Sequence, residues 1–253
     1  MPERKPIKVL ANAMAVVDAL AERGDLSPAE LAQLTGLPRP SVYRLIDGLQ
    51  AVGLARTTDE SRAQLSVTWL HLADTARASM VEWATARSVL DGLAAKTEQT
   101  AFLTVPRGFE AVCIDWALGS GTGVLILSPG RALPLYAGGA GRLTLAHTAD
   151  LDGYLAHGPQ RRPLTTRTLI DADALRADVA TTREQGYTLS LDDATIGIGA
   201  IAVPILTPGD ALLGCLSIAG RSTDIREQLP QLLQATRVAA AALQDAAASA
   251  LGS

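Results

Sequence analysis

Residues 26–53, LSPAELAQLTGLPRPSVYRLIDGLQAVG, carry the start and stop signals of two short helices separated by a tight turn. Ser27 is placed to cap, Pro28 suits a first helical position, and Glu30 is placed to close a capping box. Leu26 and Leu31 have the spacing of a hydrophobic staple. Gly36 supplies the left-handed residue that ends the first helix. Pro38-Arg39-Pro40-Ser41 then opens a second helix, expected to run to about Ala51 with Gly53 as its stop.

The second helix has two unlike faces. Val42, Leu45, Ile46 and Leu49 follow the i, i+3, i+4, i+7 rule and form one apolar stripe. Pro40, Tyr43, Arg44 and Asp47 fall opposite, with Arg39 and Ser41 in the first turn. That is the layout of a recognition helix, whose N-terminal side chains meet base edges, Arg being the commonest reader of guanine. Residues 54–67 follow as two short arms around the polar turn Thr57-Thr58-Asp59-Glu60-Ser61. They predict a small hairpin, a wing whose Arg56 and Arg62 would meet phosphates.

Net charge bears on this reading. The chain of 253 residues is acidic, −4 at neutral pH, which disfavours a general attraction to DNA. Across residues 36–58, however, Arg39, Arg44 and Arg56 oppose only Asp47, a local excess of two positive charges. A basic stripe on an acidic protein binds DNA when two copies pool their phosphate contacts. A dimer is therefore expected.

The length accommodates about two domains. A helix over residues 7–23 would complete a three-helix head, with the DNA-binding domain spanning 1–67. Residues 68–79 lack Gly and Pro and predict a rigid linker helix. A domain over 80–253 begins with a helix at 81–96. Strands are expected at 100–105, 110–118, 124–127, 188–191, 200–206 and 212–219, with helices at 139–148, 172–185 and 225–248. This order predicts an α+β domain with a mainly antiparallel sheet. The segment Gly119-Ser120-Gly121-Thr122-Gly123 lacks the spacing of a nucleotide loop and reads as a hairpin connection.

Other chemistries find little support. The amino-terminal residues lack the apolar core of a secretory leader, and no run approaches a membrane span. Cys113 and Cys215 lie far apart without metal-ligand spacing and read as buried reduced thiols of a cytoplasmic protein. His71, His147 and His157 are scattered, so neither a metal, a cofactor nor a catalytic triad is expected. The competing reading is an enzyme or a small-acid-binding protein built on a helix-turn-helix scaffold that never meets DNA.

Along almost its whole length the chain resembles transcription regulators of the IclR type. The likeness rests on Thr35-Gly36-Leu37-Pro38 and Ser41-Val42-Tyr43-Arg44-Leu45-Ile46 in the head. It continues through Gly130-Arg131-Ala132-Leu133-Pro134-Leu135, Ala137-Gly138-Gly139-Ala140-Gly141, Thr166-Arg167-Thr168-Leu169, Ala200-Ile201-Ala202-Val203-Pro204 and Leu216-Ser217-Ile218-Ala219-Gly220. Two positions depart from the usual pattern: Gln99 stands where a second acidic residue is usual, and Arg142 where Lys is common. The resemblance implies a winged helix-turn-helix, a linker helix and a GAF/PAS-like effector-binding domain. It also implies a homodimer or dimer of dimers, imperfectly palindromic operator DNA and a small organic acid as effector.

The Gly-rich turn Ala137, Gly139, Ala140 and Gly141, which leads into a helix, is the candidate effector site, since helix N-termini attract carboxylates. The alternative is a loop that is Gly-rich only because it turns sharply. By the family pattern Asp192, rather than Asp193, would accept a hydrogen bond from an effector hydroxyl, unless it is simply a solvated turn carboxylate. Ala200, Cys215 and Ser217 occupy positions that face the pocket in relatives, with Ser217 offering a hydroxyl. Small residues at Ala200 and Ala219 predict a roomy cavity, which favours an aromatic acid over a two- or three-carbon oxoacid.

Overall fold

The local helix signals at residues 26–53 are realised in the computed structural model, which describes residues 7–121 and 127–252. Helix α1 (Lys8–Arg23) precedes α2 (Pro28–Thr35) and α3 (Arg39–Ala51). Ser27 N–H donates to Glu30 Oε2 at 2.7 Å and Glu30 N–H donates to Ser27 Oγ at 3.3 Å, so the capping box is complete. Gly36 adopts φ +69°, a left-handed conformation that a side chain would strain. Val16, Val17 and Leu20 of α1 pack with Leu31 and with Val42, Ile46 and Leu49 of α3, the apolar stripe expected of that helix. Strands β1 (Ala55–Thr57) and β2 (Ala63–Leu65) pair antiparallel as the wing. Helix α4 (Thr68–Ala78) buries none of its residues fully. Trp69 fastens its start, donating its indole N–H to the Leu54 carbonyl at 2.7 Å.

The chain forms two compact units, Met1–Ser79 and Met80–Ser253, so α4 belongs with the head. The second unit opens with a 3-10 turn (Val81–Trp83) and α5 (Ala86–Thr97), where one continuous helix is expected from periodicity. The tighter turn accompanies burial of Trp83, which joins the main core. Strands β3 (Thr100–Arg107), β4 (Glu110–Ala117) and β5 (Ala132–Pro134) follow, then α6 (Gly138–Ala146), α7 (Leu151–His157) and α8 (Ala172–Gln185). Strands β6 (Thr188–Leu191), β7 (Ile198–Leu206) and β8 (Leu212–Arg221) complete the sheet before α9 (Ser222–Glu227) and α10 (Leu229–Leu251). A strand expected at 124–127 lies mostly outside the described residues, and Leu127 itself is not in a strand.

The sheet order is β5-β4-β3-β8-β7-β6 with every neighbouring pair antiparallel. Its period of two sorts the side chains onto two faces. Ala101, Leu103, Ile201, Val203, Ile205, Leu216 and Ile218 share one core with residues of α5 and α10. Phe102, Ala200, Ala202, Cys215, Ser217 and Ala219 alternate onto the other face, beside α6. A register shift between β3 and β4 lets Cys113 and Trp116 join Phe102 on that second side although they are three residues apart.

Three elements differ from the sequence expectation for identifiable reasons. The single closing helix is two, α9 and α10, because Pro230 enters the first turn of α10 without an N–H to continue a helix from α9. Strand β5 is a three-residue edge that tolerates Pro134, too short to show alternation. Helix α7 is started by Asp150, whose carboxylate accepts from Gly153 N–H at 2.8 Å.

Candidate functional site

The head presents an unpaired cationic face. Arg39, Pro40, Tyr43 and Arg44 are exposed at the start of α3, Ser41 is half-buried beside them, and Arg56 is exposed on β1. Arg39, Arg44 and Arg56 make no ion pair or side-chain hydrogen bond among the described residues. Tyr43 is 56% exposed on a helix whose opposite side is buried, so its ring is available for contact. Ser41, Arg44 and Leu45 also line an open cleft with Lys8, Val9 and Asn12 of α1. Lys8 and Asn12 are additions that sequence reasoning missed; three-helix packing alone brings the first turn of α1 beside α3.

Arg62 departs from its expected role at the phosphates. Its Nε donates to Asp25 Oδ2 at 3.0 Å, and Nη2 donates to the Asp25 carbonyl at 2.9 Å. Nη2 also lies 3.0 Å from Glu30 Oε2. The side chain therefore clamps the wing to the capped start of α2. Glu30 is held below its ordinary pKa by the Ser27 N–H first, then by the Ser27 hydroxyl and by Arg62.

In the second unit, an apolar cavity of about 50 Å3 lies between the sheet and the first turn of α6. Gly139, Ala140, Ala200 and Ser217 line it, as do Phe102, Leu127, Leu133 and Ile198. The Ser217 hydroxyl has no hydrogen-bond partner among the described residues, although the residue is only 5% exposed. Amides of Gly139 and Ala140 in the first turn of α6 have no carbonyl within the helix to bond.

The remaining candidates stand outside this lining. Ala137 is the fully buried residue before α6, and its own side chain has no group to cap the helix. Gly141 is a packing position: a Cβ on it would lie 2.3 Å from the Pro134 carbonyl oxygen, so glycine lets α6 cross β5 closely. Cys215 packs with Ala111, Ala140, Leu143 and Ala202. Burial pushes its thiol up to about 12, and burial followed by the Asp115 charge pushes Cys113 up to about 12, so neither is a ready nucleophile. Asp192 is tied into a turn, accepting from Ser222 Oγ at 2.6 Å and Gly197 N–H at 2.8 Å. Its carboxyl is lowered by the Ser222 hydroxyl first, then by Gly197 and by the charges of Arg167 and Arg226.

It is Asp193 that reaches beneath the helix start. Only 2% exposed, it accepts from Gly138 N–H at 3.3 Å and from Arg142 Nη1 at 2.9 Å on Oδ2, and from Ser190 Oγ on Oδ1. Thr168 Oγ1 holds its carbonyl at 2.6 Å. Arg142 bridges Asp193 to Asp178, with Nε 2.9 Å from Asp178 Oδ2. Burial opposes the Arg142 charge, but the hydrogen bonds and fields of Asp178 and Asp193 outweigh it and raise its pKa. The available signal was Arg142 itself, a lone charge in the apolar run of α6 that requires buried counter-charges. The expectation of a roomy cavity is corrected too: with Phe102, Leu127 and Leu133 lining it beside Ala200 and Ala219, only about 50 Å3 is open. A cavity of roughly 150 Å3 accepts benzene, three times what is open here.

Comparisons with known proteins address both units. The bacterial transcriptional regulator IclR C-terminal model matches residues 78–245, and the IclR helix-turn-helix domain model matches residues 9–59. The HTH-type transcriptional regulator KipR of Bacillus subtilis (strain 168) is 25% identical over 236 residues, covering 92% of this chain and 94% of KipR. In fold, the chain is similar to an IclR transcriptional regulator from Alicyclobacillus acidocaldarius, with TM-score 0.82, 23% identity and coverage of 96% and 100%. It is also similar to an IclR homolog from Microbacterium hydrocarbonoxydans complexed with 4-hydroxybenzoate, with TM-score 0.79, 21% identity and coverage of 95% and 99%.

Proposed function

The chain belongs to the IclR family of bacterial transcriptional regulators, and from that premise we propose that its affinity for operator DNA is set by a small organic acid bound in the cavity at the start of α6. The carrying observation is that Ser217 and the first-turn amides of Gly139 and Ala140 border one apolar cavity and have no hydrogen-bond partners among the described residues. In such a site the carboxylate takes the amides and the Ser217 hydroxyl, and the carbon skeleton lies against Phe102, Leu133 and Ile198. The open volume favours a compact acid. An aromatic acid such as the 4-hydroxybenzoate of the Microbacterium protein needs Leu127 or Phe102 to move aside. No turnover of the acid is expected, because the buried thiols are protonated and the Ser and Thr hydroxyls of the lining have no histidine beside them in it.

On the DNA side, Arg39, Pro40, Ser41, Tyr43 and Arg44 enter the major groove, while Arg56 and Lys8 approach phosphates. Two heads in a homodimer, or in a dimer of dimers, address the halves of an imperfect palindrome. The acid acts only through a difference in its affinity for the DNA-competent and incompetent states. Footprinting on the DNA upstream of the gene, repeated with a panel of oxoacids and hydroxybenzoates, tests the reading. A protected palindrome whose occupancy changes with one acid is the expected result; protection indifferent to every acid on the panel, in a protein that binds none of them by calorimetry, overturns it.

A further inference from the structure

On the outer side of the loop that follows β6, an open cleft of about 550 Å3 is lined by Arg167, Arg221 and Arg226, with Ser222, Thr223, Ile196, Gly197 and Asp192. Three guanidinium groups here oppose one carboxylate. Asp192 takes part of that charge, lying 3.4 Å from Arg167 Nη1, and its remaining acceptor sites are used by Ser222 and Gly197. Arg221 and Arg226 are exposed and make no ion pair or side-chain hydrogen bond among the described residues. Elsewhere on this unit, exposed Arg107 is paired with Glu110 and Arg176 with Asp152 and Asp173, while Arg162, Arg183 and Arg237 donate to Gln160 or to backbone carbonyls. The hydroxyls of Ser222 and Thr223 are donated to Asp192 and Asp224, so the guanidinium groups carry the site: three arginines lining one concave surface with a single carboxylate leave an excess of two positive charges there, which suits an oxyanion.

The geometry points to a second ligand site in this cleft, separate from the α6 cavity, for a small oxyanion carrying at least two negative charges. Two charges match the excess left after Asp192 is counted, and Arg binds phosphate and carboxylate oxygens through the same planar fork. The cleft is of ordinary small-ligand size, which distinguishes it from a flat basic patch for an extended partner. Its wall is also shared: Asp192, Ile196 and Gly197 line the outer cleft, whereas Ala194, Thr195 and Ile198 of the same loop line the inner cavity. An anion that draws Arg167 away from Asp192 acts on a loop that the inner ligand also touches.

Calorimetric titration of the full chain at low ionic strength with inorganic phosphate, citrate and acetate, each separately, tests this site. Saturable binding of phosphate, citrate or both, weakened by added salt and about tenfold or more tighter than that of acetate, is expected; which of the two binds better tells a phosphoryl from a carboxylate ligand. The double variant Arg221→Gln/Arg226→Gln should lose about tenfold or more in that affinity while its unfolding temperature stays that of the parent. Ala140→Val, whose two added methyl groups fill a cavity of about 50 Å3, should leave phosphate and citrate binding intact. Absence of saturable binding by either polyanion, or equal affinity in the double variant, overturns the proposal. Loss of polyanion binding in Ala140→Val at an unchanged unfolding temperature also overturns it, by assigning the anion to the inner cavity.

Discussion

Arg142 and Asp193, 51 positions apart in sequence, meet at 2.9 Å beneath the first turn of α6, and both are at least nine-tenths buried. A charge in that setting holds only with its partner, since the cost of removing it from water is otherwise uncompensated. Asp193→Ala should therefore destabilise the effector domain by about 3 kcal/mol, the low end for a broken buried pair because Asp178 still faces Arg142. Urea unfolding followed by tryptophan fluorescence measures it, and an unchanged midpoint would show that the network adds nothing.

The recognition helix and the clamp should separate under mutation. Arg39→Ala and Arg44→Ala are expected to weaken operator binding by about 1–3 kcal/mol each with no change in melting temperature. Arg62→Ala should instead lower the stability of the head by about 1 kcal/mol, an amount suited to a partly exposed ion pair, because its partners are Asp25 and Glu30. Fluorescence anisotropy with operator DNA alongside thermal melts distinguishes the two classes.

Assembly gives a third expectation. The local excess of two positive charges on each head is small for tight binding alone, so the expected functional unit is a dimer whose half-sites lie roughly 34 Å apart. Sedimentation of the protein with and without operator would contradict this by showing a stable monomer bound one to one.

Ala140 lies at the centre of the proposed effector site, 3% exposed and lining the cavity. Ala140→Val should abolish the calorimetric signal of whichever acid the parent binds, and the response of DNA binding to it, while operator affinity without acid is retained. Acid binding that survives in the variant would place the pocket elsewhere.

The Glu30 carboxyl provides a pH signature. Its folded pKa lies below the ordinary value of 4.5, so the capping box contributes stability that is complete above 4.5 and is lost as pH falls through the lower folded value. Melting curves of the parent and of Glu30→Gln should thus differ most near neutral pH and converge in acid below 4.5. A gap that stays constant across that range would assign the effect to packing instead of charge.

The head was legible in the sequence because its determinants are short-range. Ser27 and Glu30 are three residues apart, Gly36 needs only its own φ, and the stripe of α3 repeats every turn. Strands β3, β4, β6, β7 and β8 were legible for the same reason, since alternation along a strand reports burial on one face, whereas β5 is too short to show it. What tertiary structure alone decided depends on groups brought together across the chain. Periodicity could not tell that Asp193, and not Asp192, turns inward, because adjacent residues of a loop carry no fixed facing. It could not tell that Arg62 is occupied by Asp25, 37 residues away, or that Arg142 finds Asp178 and Asp193. Nor could the small side chains of Ala200 and Ala219 report the size of the cavity: an interior packs to near-crystalline density, and with Phe102, Leu127 and Leu133 lining it beside them only about 50 Å3 is open.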